Sequence, residues 1–224
     1  MSATDVGLGF RAGRGGSVVV AVSVDGSEPR VALSTFLATA AKGDRLAFEP
    51  YHVAVELVRG EAGGAVGQRP PRSSTAALIS ANAEAAVAEG RRRQDALASE
   101  NLAAILTQLR AGGCEPRLAA LLINRAGWLT EEHRLAHGLS APEHPPVIEG
   151  LAVRDALRFA FDACGLPATE IDEKSLTETA AAVLGRSPGE LEGQLKALGA
   201  AAGKPWRKEQ KAACLAAWVA LATP

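Results

Sequence analysis

The sequence predicts an α/β protein: a mixed five-stranded sheet, three antiparallel strands followed by two parallel ones, flanked by helices. Three observations predict it. Three β-patterned runs joined by short turns occupy residues 18–58. Two further strand-length runs, 117–124 and 168–172, each follow a helical stretch. Three more helical stretches close the chain. Short links favour antiparallel neighbours, whereas a helical crossover brings the next strand back parallel.

The elements are justified in order. Residues 1–16, rich in glycine and arginine, read as a flexible N-terminal segment ahead of a single domain over 17–224. Val18 to Val24 is nearly all apolar and β-branched, the pattern of a strand covered on both faces. AspGlySerGluPro, 25–29, is turn chemistry. Residues 30–39 form the second strand, 40–45 a turn, and 46–58 the third. The stretch 59–75, GEAGGAVGQRPPRSS at its centre, reads as a loop. Residues 76–110 are alanine-rich with apolar positions at helical spacing, stopped by Gly112 and Gly113. Pro145 and Pro146 open a second helix to Cys164. Ser175, with Glu178 three positions on, predicts a capping box. Ser187 followed by Pro188 predicts another helix start. Residues 206–221 form the last helix.

Composition bounds the function. The chain has 224 residues, 47% of them hydrophobic but only 4% aromatic, so alanine, valine and leucine must fill its core. No apolar run approaches the ~20 residues of a membrane span, no signal-peptide core opens the chain, and cytoplasm is the expected location. Cys114, Cys164 and Cys214 are odd in number and widely spaced, the pattern of buried free thiols rather than a disulfide framework. The net charge of −1 gives no basic surplus, so affinity for nucleic acid would need a local patch. The run Arg91, Arg92, Arg93 is the candidate, although three consecutive arginines on a helix cannot all face one groove.

Asp25 poses the functional question. It closes an apolar strand, where a metal ligand could stand, yet Asp-Gly is also a strong hairpin signal. His133 and His137, spaced i,i+4, would share one helix face with His144 nearby, but no HExxH motif accompanies them and a polar surface helix accounts for the spacing. Glycines 63, 64 and 67 form no phosphate-binding GxxxxGK[ST] loop.

This order of elements, with an acidic residue closing the first apolar strand, resembles the ribonuclease H-like superfamily. Within it the chain is similar to the RuvC family of Holliday-junction resolvases. That family opens with a strand ending in Asp-Pro-Gly-Ser and a returning strand; here ValAspGlySerGluPro, 24–29, is similar. The family's fourth strand ends in glutamate, where LAALLINRAGW, 118–128, places Asn124. The segment ATEIDEKSLTETAAAVLG, 168–185, resembles the family's next strand and helix entry. KEQKAACLAAWVAL, 208–221, resembles the closing helix, with Glu209 first and Ala212 where a second aspartate would fall.

The resemblance implies a metal-dependent endonuclease on structured DNA, open to acting as a homodimer, with Mg or Mn as cofactor. Asp25, Asn124 and Glu209 would be its catalytic positions, Asp25 and Glu209 the metal ligands, and Arg91, Arg92 and Arg93 the nucleic-acid contacts. Two-metal phosphodiester cleavage needs several carboxylates converging on ions ~4 Å apart. Asn124 offers only a neutral oxygen and Ala212 none, so the site is depleted unless Glu56, Glu131, Glu132, Asp172 or Glu173 substitutes. Two alternatives follow: a non-catalytic binding or assembly module of the same fold, and a lobe similar to the TsaB proteins of the actin-like kinase fold, acting as a dimerising partner.

Overall fold

A computed structural model describes residues 3–26, 28–61, 81–124, 129–140 and 145–223. The sheet has five strands in the order β3-β2-β1-β4-β5: β1 (Thr4–Gly13), β2 (Gly16–Asp25), β3 (Glu28–Ala38), β4 (Cys114–Ile123) and β5 (Ala168–Asp172). β1 is antiparallel to β2, β2 to β3, and β1, β4 and β5 run parallel. This is the mixed arrangement expected, three antiparallel strands then two parallel, but two of its elements differ from the sequence reading.

The segment expected to be flexible holds the central strand. In Thr4–Gly13 the residues Val6, Leu8 and Phe10 alternate with Gly7 and Gly9, and all three apolar side chains are fully buried. Period-two alternation is the strand signal, and the intervening glycines masked it. Arg14 and Gly15 form the two-residue turn into β2, with Gly15 at φ 73°, where glycine is favoured. The run read as the third strand, 46–58, is instead helical: α1 (Arg45–Phe48) and α2 (Pro50–Glu61). Its β-branched valines suggested a strand. Its buried residues, Tyr51, Ala54, Val55 and Val58, fall at i, i+3, i+4 and i+7, one face of a helix. The Asp44 carboxylate caps α1 by accepting the Ala47 N–H at 3.2 Å.

The remaining helices are α3 (Ala81–Ala111), α4 (Glu131–Ser140), α5 (Pro145–Ala163), α6 (Leu176–Leu184), α7 (Pro188–Ala202) and α8 (Lys208–Ala222). Ser187 and Glu190 form a full capping box at α7. At α6 the predicted box is absent: the Ser175 hydroxyl donates to the Asp172 carbonyl instead, at 3.3 Å. The 59–75 loop lies mostly outside the described residues, as do residues 76–80 of the expected helix.

Two hydrophobic layers enclose the sheet. On one face Val6, Leu8, Phe10, Val19 and Leu121 pack against α3 and α5, with Phe10 and Phe161 edge to face at 4.8 Å. On the other, Val20, Val22, Ala120 and Leu122 pack against α6, α7 and α8. A third cluster joins α2, α4 and α5 beside the sheet. Trp218 is buried in the second layer, as its apolar surroundings in the sequence predict. All three cysteines are free; Cys214 is buried, and burial pushes its thiol up to about 12. No described helix is long and apolar enough to cross a membrane.

Candidate functional site

The parallel strands end together, and their carboxyl ends create the notch where an open α/β sheet gathers its functional groups. β1 sets one side. Gly7, Gly9 and Arg11 point to the face that carries α8, because Val6, Leu8 and Phe10 point to the other. A Cβ on Gly9 would lie 1.8 Å from the Ala213 carbonyl oxygen, and one on Gly7 2.9 Å from that of Ala217. The glycines therefore let α8 lie directly on the strand backbone. One helical turn before Ala213 stands Glu209, and two residues after Gly9 stands Arg11, so helix period and strand period bring the two together.

The contacts follow. Arg11 Nε donates to Glu173 Oε1 at 2.8 Å, and its Nη1 lies 3.5 Å from Glu209 Oε1. Glu173, just after β5, is placed by its own N–H donating to the Ile123 carbonyl at 2.8 Å. Asn124 follows β4, and its Oδ1 accepts from Arg154 Nη1 at 2.8 Å. Arg154, on α5, is 7% exposed and its Nε has no hydrogen-bond partner among the described residues. Burial, with Arg158 next in effect, lowers its pKa, although a guanidinium starts high enough to stay charged. The notch thus joins two guanidiniums, two carboxylates and one amide, and its formal charges cancel.

Asp25 lies elsewhere. Arg11 pairs across the ladder with Val18, and Ser23 with Val6, so Asp25 is at the opposite end of the strands. Seven residues of strand separate it from Val18, roughly 23 Å. Its side chain is 77% exposed and 3.5 Å from Arg30. Asp25 and Glu209, expected to share metal ions, are therefore not brought together. The reason is the missed strand: the hairpin at residue 25 joins β2 to β3, and the first strand ends earlier. The strand that reaches the notch closes in Arg11, Ala12 and Gly13, ahead of the turn at Arg14 and Gly15. Asp25→Asn should change stability by no more than about 0.5 kcal/mol, as for other exposed sites; thermal unfolding checks this.

The other candidates resolve individually. Asn124 and Glu209 are in the notch, as is Glu173, one of the acids considered as a substitute. Asp172 accepts the Lys174 N–H at 3.0 Å, and Glu56, on α2, pairs with Arg45 of α1 at 2.7 Å. The side chains of Glu131 and Glu132 lie outside the described residues, as does His144. His133 Nδ1 is 2.6 Å from Thr130 Oγ1. Among the described residues no group of three or more His, Cys, Asp and Glu is placed to hold a metal ion.

The arginine run is bound into ion pairs. Arg92 and Arg93 both donate to Glu89, at 2.7 Å and 2.8 Å, and Arg93 also reaches Asp44 at 3.3 Å. Arg91 lies 3.5 Å from Asp155, which Arg134 and Arg158 also engage. The predicted patch is a set of compensated charges, and these arginines already have carboxylate partners.

Mg²⁺ or Mn²⁺ would need anionic oxygens converging on the ion. Arg11, Asn124, Glu173 and Glu209 do not fit that requirement: a guanidinium fills the space between the two carboxylates, and the strand-four position is neutral. Sequence reasoning missed Arg11 and Arg154. Alternation in VGLGFR, residues 6–11, was the available signal for the first; the buried Arg154 left none, because it sits on an ordinary helical face.

No family model matches the chain, and no curated protein matches it. Among solved structures it is similar to Thermus thermophilus RuvC, at TM-score 0.48 and 12% identity, covering 97% of this chain and 93% of that one. It is similar also to T. thermophilus RuvC in complex with Holliday junction substrate, at TM-score 0.47 and 11% identity, covering 97% of this chain and 92% of that one. At these identities the likeness is one of overall architecture.

Proposed function

We propose that this chain is a non-catalytic module of the ribonuclease H-like fold, which acts by binding or assembly rather than by cutting phosphodiesters. One observation supports it above the rest: Arg11 stands at the end of the central strand and pairs with both Glu173 and Glu209. Two-metal cleavage works by concentrating negative charge that divalent ions then neutralise, leaving those ions to activate water and hold the leaving oxygen. Here the protein neutralises its own carboxylates. The fold supplies the scaffold without the chemistry.

Structured DNA remains the ligand to test first, on the strength of the resemblance, with a protein partner as the alternative. Purified protein should leave four-way DNA junctions uncut in millimolar Mg²⁺ and in Mn²⁺. A gel-shift series at rising salt then reports whether junctions bind, since phosphate contacts weaken steeply with salt. Nicking that needs Mg²⁺ and disappears in Glu173→Gln or Glu209→Gln would overturn the proposal.

A further inference from the structure

We infer that Arg11 is the notch's permanent cation, occupying by covalent attachment the position a divalent ion would need, and that removing its charge opens that position to one. The inference rests on the non-catalytic reading and says what replaced the metal.

Three features make the guanidinium more than a surface ion pair. It is held from both sides by residues of different elements, Glu173 after β5 and Glu209 in the first turn of α8. Its side chain is only 21% exposed. The distance across which it bridges is also fixed by the backbone, because Gly7 and Gly9 seat α8 on β1 and leave Glu209 little room to withdraw. A planar fork that donates to one carboxylate through Nε and faces another through Nη1 is an arginine property; a lysine would keep the charge but not the two-sided geometry.

The consequence is reciprocal. In the native notch a free cation competes with one already tethered there, so Mn²⁺ has no uncompensated charge to meet. In Arg11→Asp three carboxylates share the notch, and its other guanidinium, Arg154, already donates to Asn124. Mn²⁺ and Mg²⁺ accept such oxygens and complete their shells with water, so the shorter aspartate need not touch the ion alone.

The test compares native protein, Arg11→Asp, Arg11→Gln and Arg11→Lys with Mn²⁺ by isothermal titration and thermal unfolding. Arg11→Asp should bind Mn²⁺ saturably. Its Tm should rise by roughly 5 °C or more once free ion exceeds the dissociation constant a hundredfold. Arg11→Gln, which removes the charge with little change of shape, should bind more weakly. In both, Glu173→Gln added as a second substitution should abolish binding. Native protein and Arg11→Lys should be unaffected. The inference is overturned if the native notch binds Mn²⁺ in a manner lost with Glu173→Gln, or if Arg11→Lys binds as Arg11→Asp does. It is equally overturned if Arg11→Gln and Arg11→Asp, folded by circular dichroism, stay inert; should Arg11→Asp fail to fold, Arg11→Gln decides. Inert variants would leave the non-catalytic reading standing, whereas junction nicking by native protein would end that reading whatever the variants bind.

Discussion

Gly9→Val is expected to destabilise the fold by more than about 3 kcal/mol, the upper part of the range for overpacking a well-packed interior. Even the first added carbon would lie 1.8 Å from the Ala213 carbonyl oxygen and 2.9 Å from the Ala217 N. These are helix backbone atoms, so no rotamer change relieves the clash; α8 itself must lift. Lifting it uncovers the layer that buries Ala213, Cys214, Ala217 and Trp218. Chemical denaturation of Gly9→Val against Gly193→Val supplies the comparison, since a Cβ on Gly193, in α7, meets nothing within 4 Å. The Gly9 change should lower the midpoint far more. Equal effects would mean that helix and strand are not in close contact.

The second large effect depends on pH. Glu149, on α5, is 1% exposed and its Oε1 accepts the His52 N–H at 2.9 Å, capping the N-terminus of α2 from another helix. Desolvation raises its pKa to about 7, with the nearby Glu49 adding to the rise and the backbone N–H groups of α2 opposing it. In the folded state it therefore holds its proton between pH 4.5 and 7, where the unfolded chain has released it. The folded state binds more protons over that window, so stability falls as pH rises through it. The gap from 4.5 to about 7 corresponds to roughly 3 kcal/mol lost by the time the group is fully ionised. Glu149→Gln keeps an oxygen for the His52 N–H and cannot ionise. Unfolding measured at pH 5 and pH 8 should show the native protein losing more stability than this variant. Parallel losses would show that Glu149 does not carry the effect.

How much of this was legible in the sequence depends on the kind of signal. Residues 18–24 and 118–123 announced strands through their apolar runs, residues 168–172 through their brevity between helices, and the helices after Ser187 and Pro145 through their openings. The central strand did not, because two of its positions are glycine for a reason that lies 200 residues away: α8 needs the space. A local reading cannot see that demand. The helices at 45–61 were hidden differently, since valine favours strands locally while the burial of Tyr51, Ala54, Val55 and Val58 decides for helix. One missed strand then displaced the site. Asn124 and Glu209 do lie at the notch, and Glu173, weighed as a substitute acid, lies there with them. Asp25 proved to be an exposed hairpin residue far from Glu209, and the arginine run lost its apparent free charge to Glu89, Asp44 and Asp155.

The central strand also shapes how the molecule can be assembled from an emerging chain. Thr4 is matched to Cys114 on its parallel neighbour, so β1 waits more than a hundred residues for that partner. The antiparallel meander of β1, β2 and β3 can close sooner, yet its glycine-bearing face stays wet until synthesis reaches the last fifteen-residue helix. Ordering of the whole sheet is thus deferred until α8 has been made, and nascent intermediates expose a bare strip of main chain that a chaperone or a neighbouring copy could cover first.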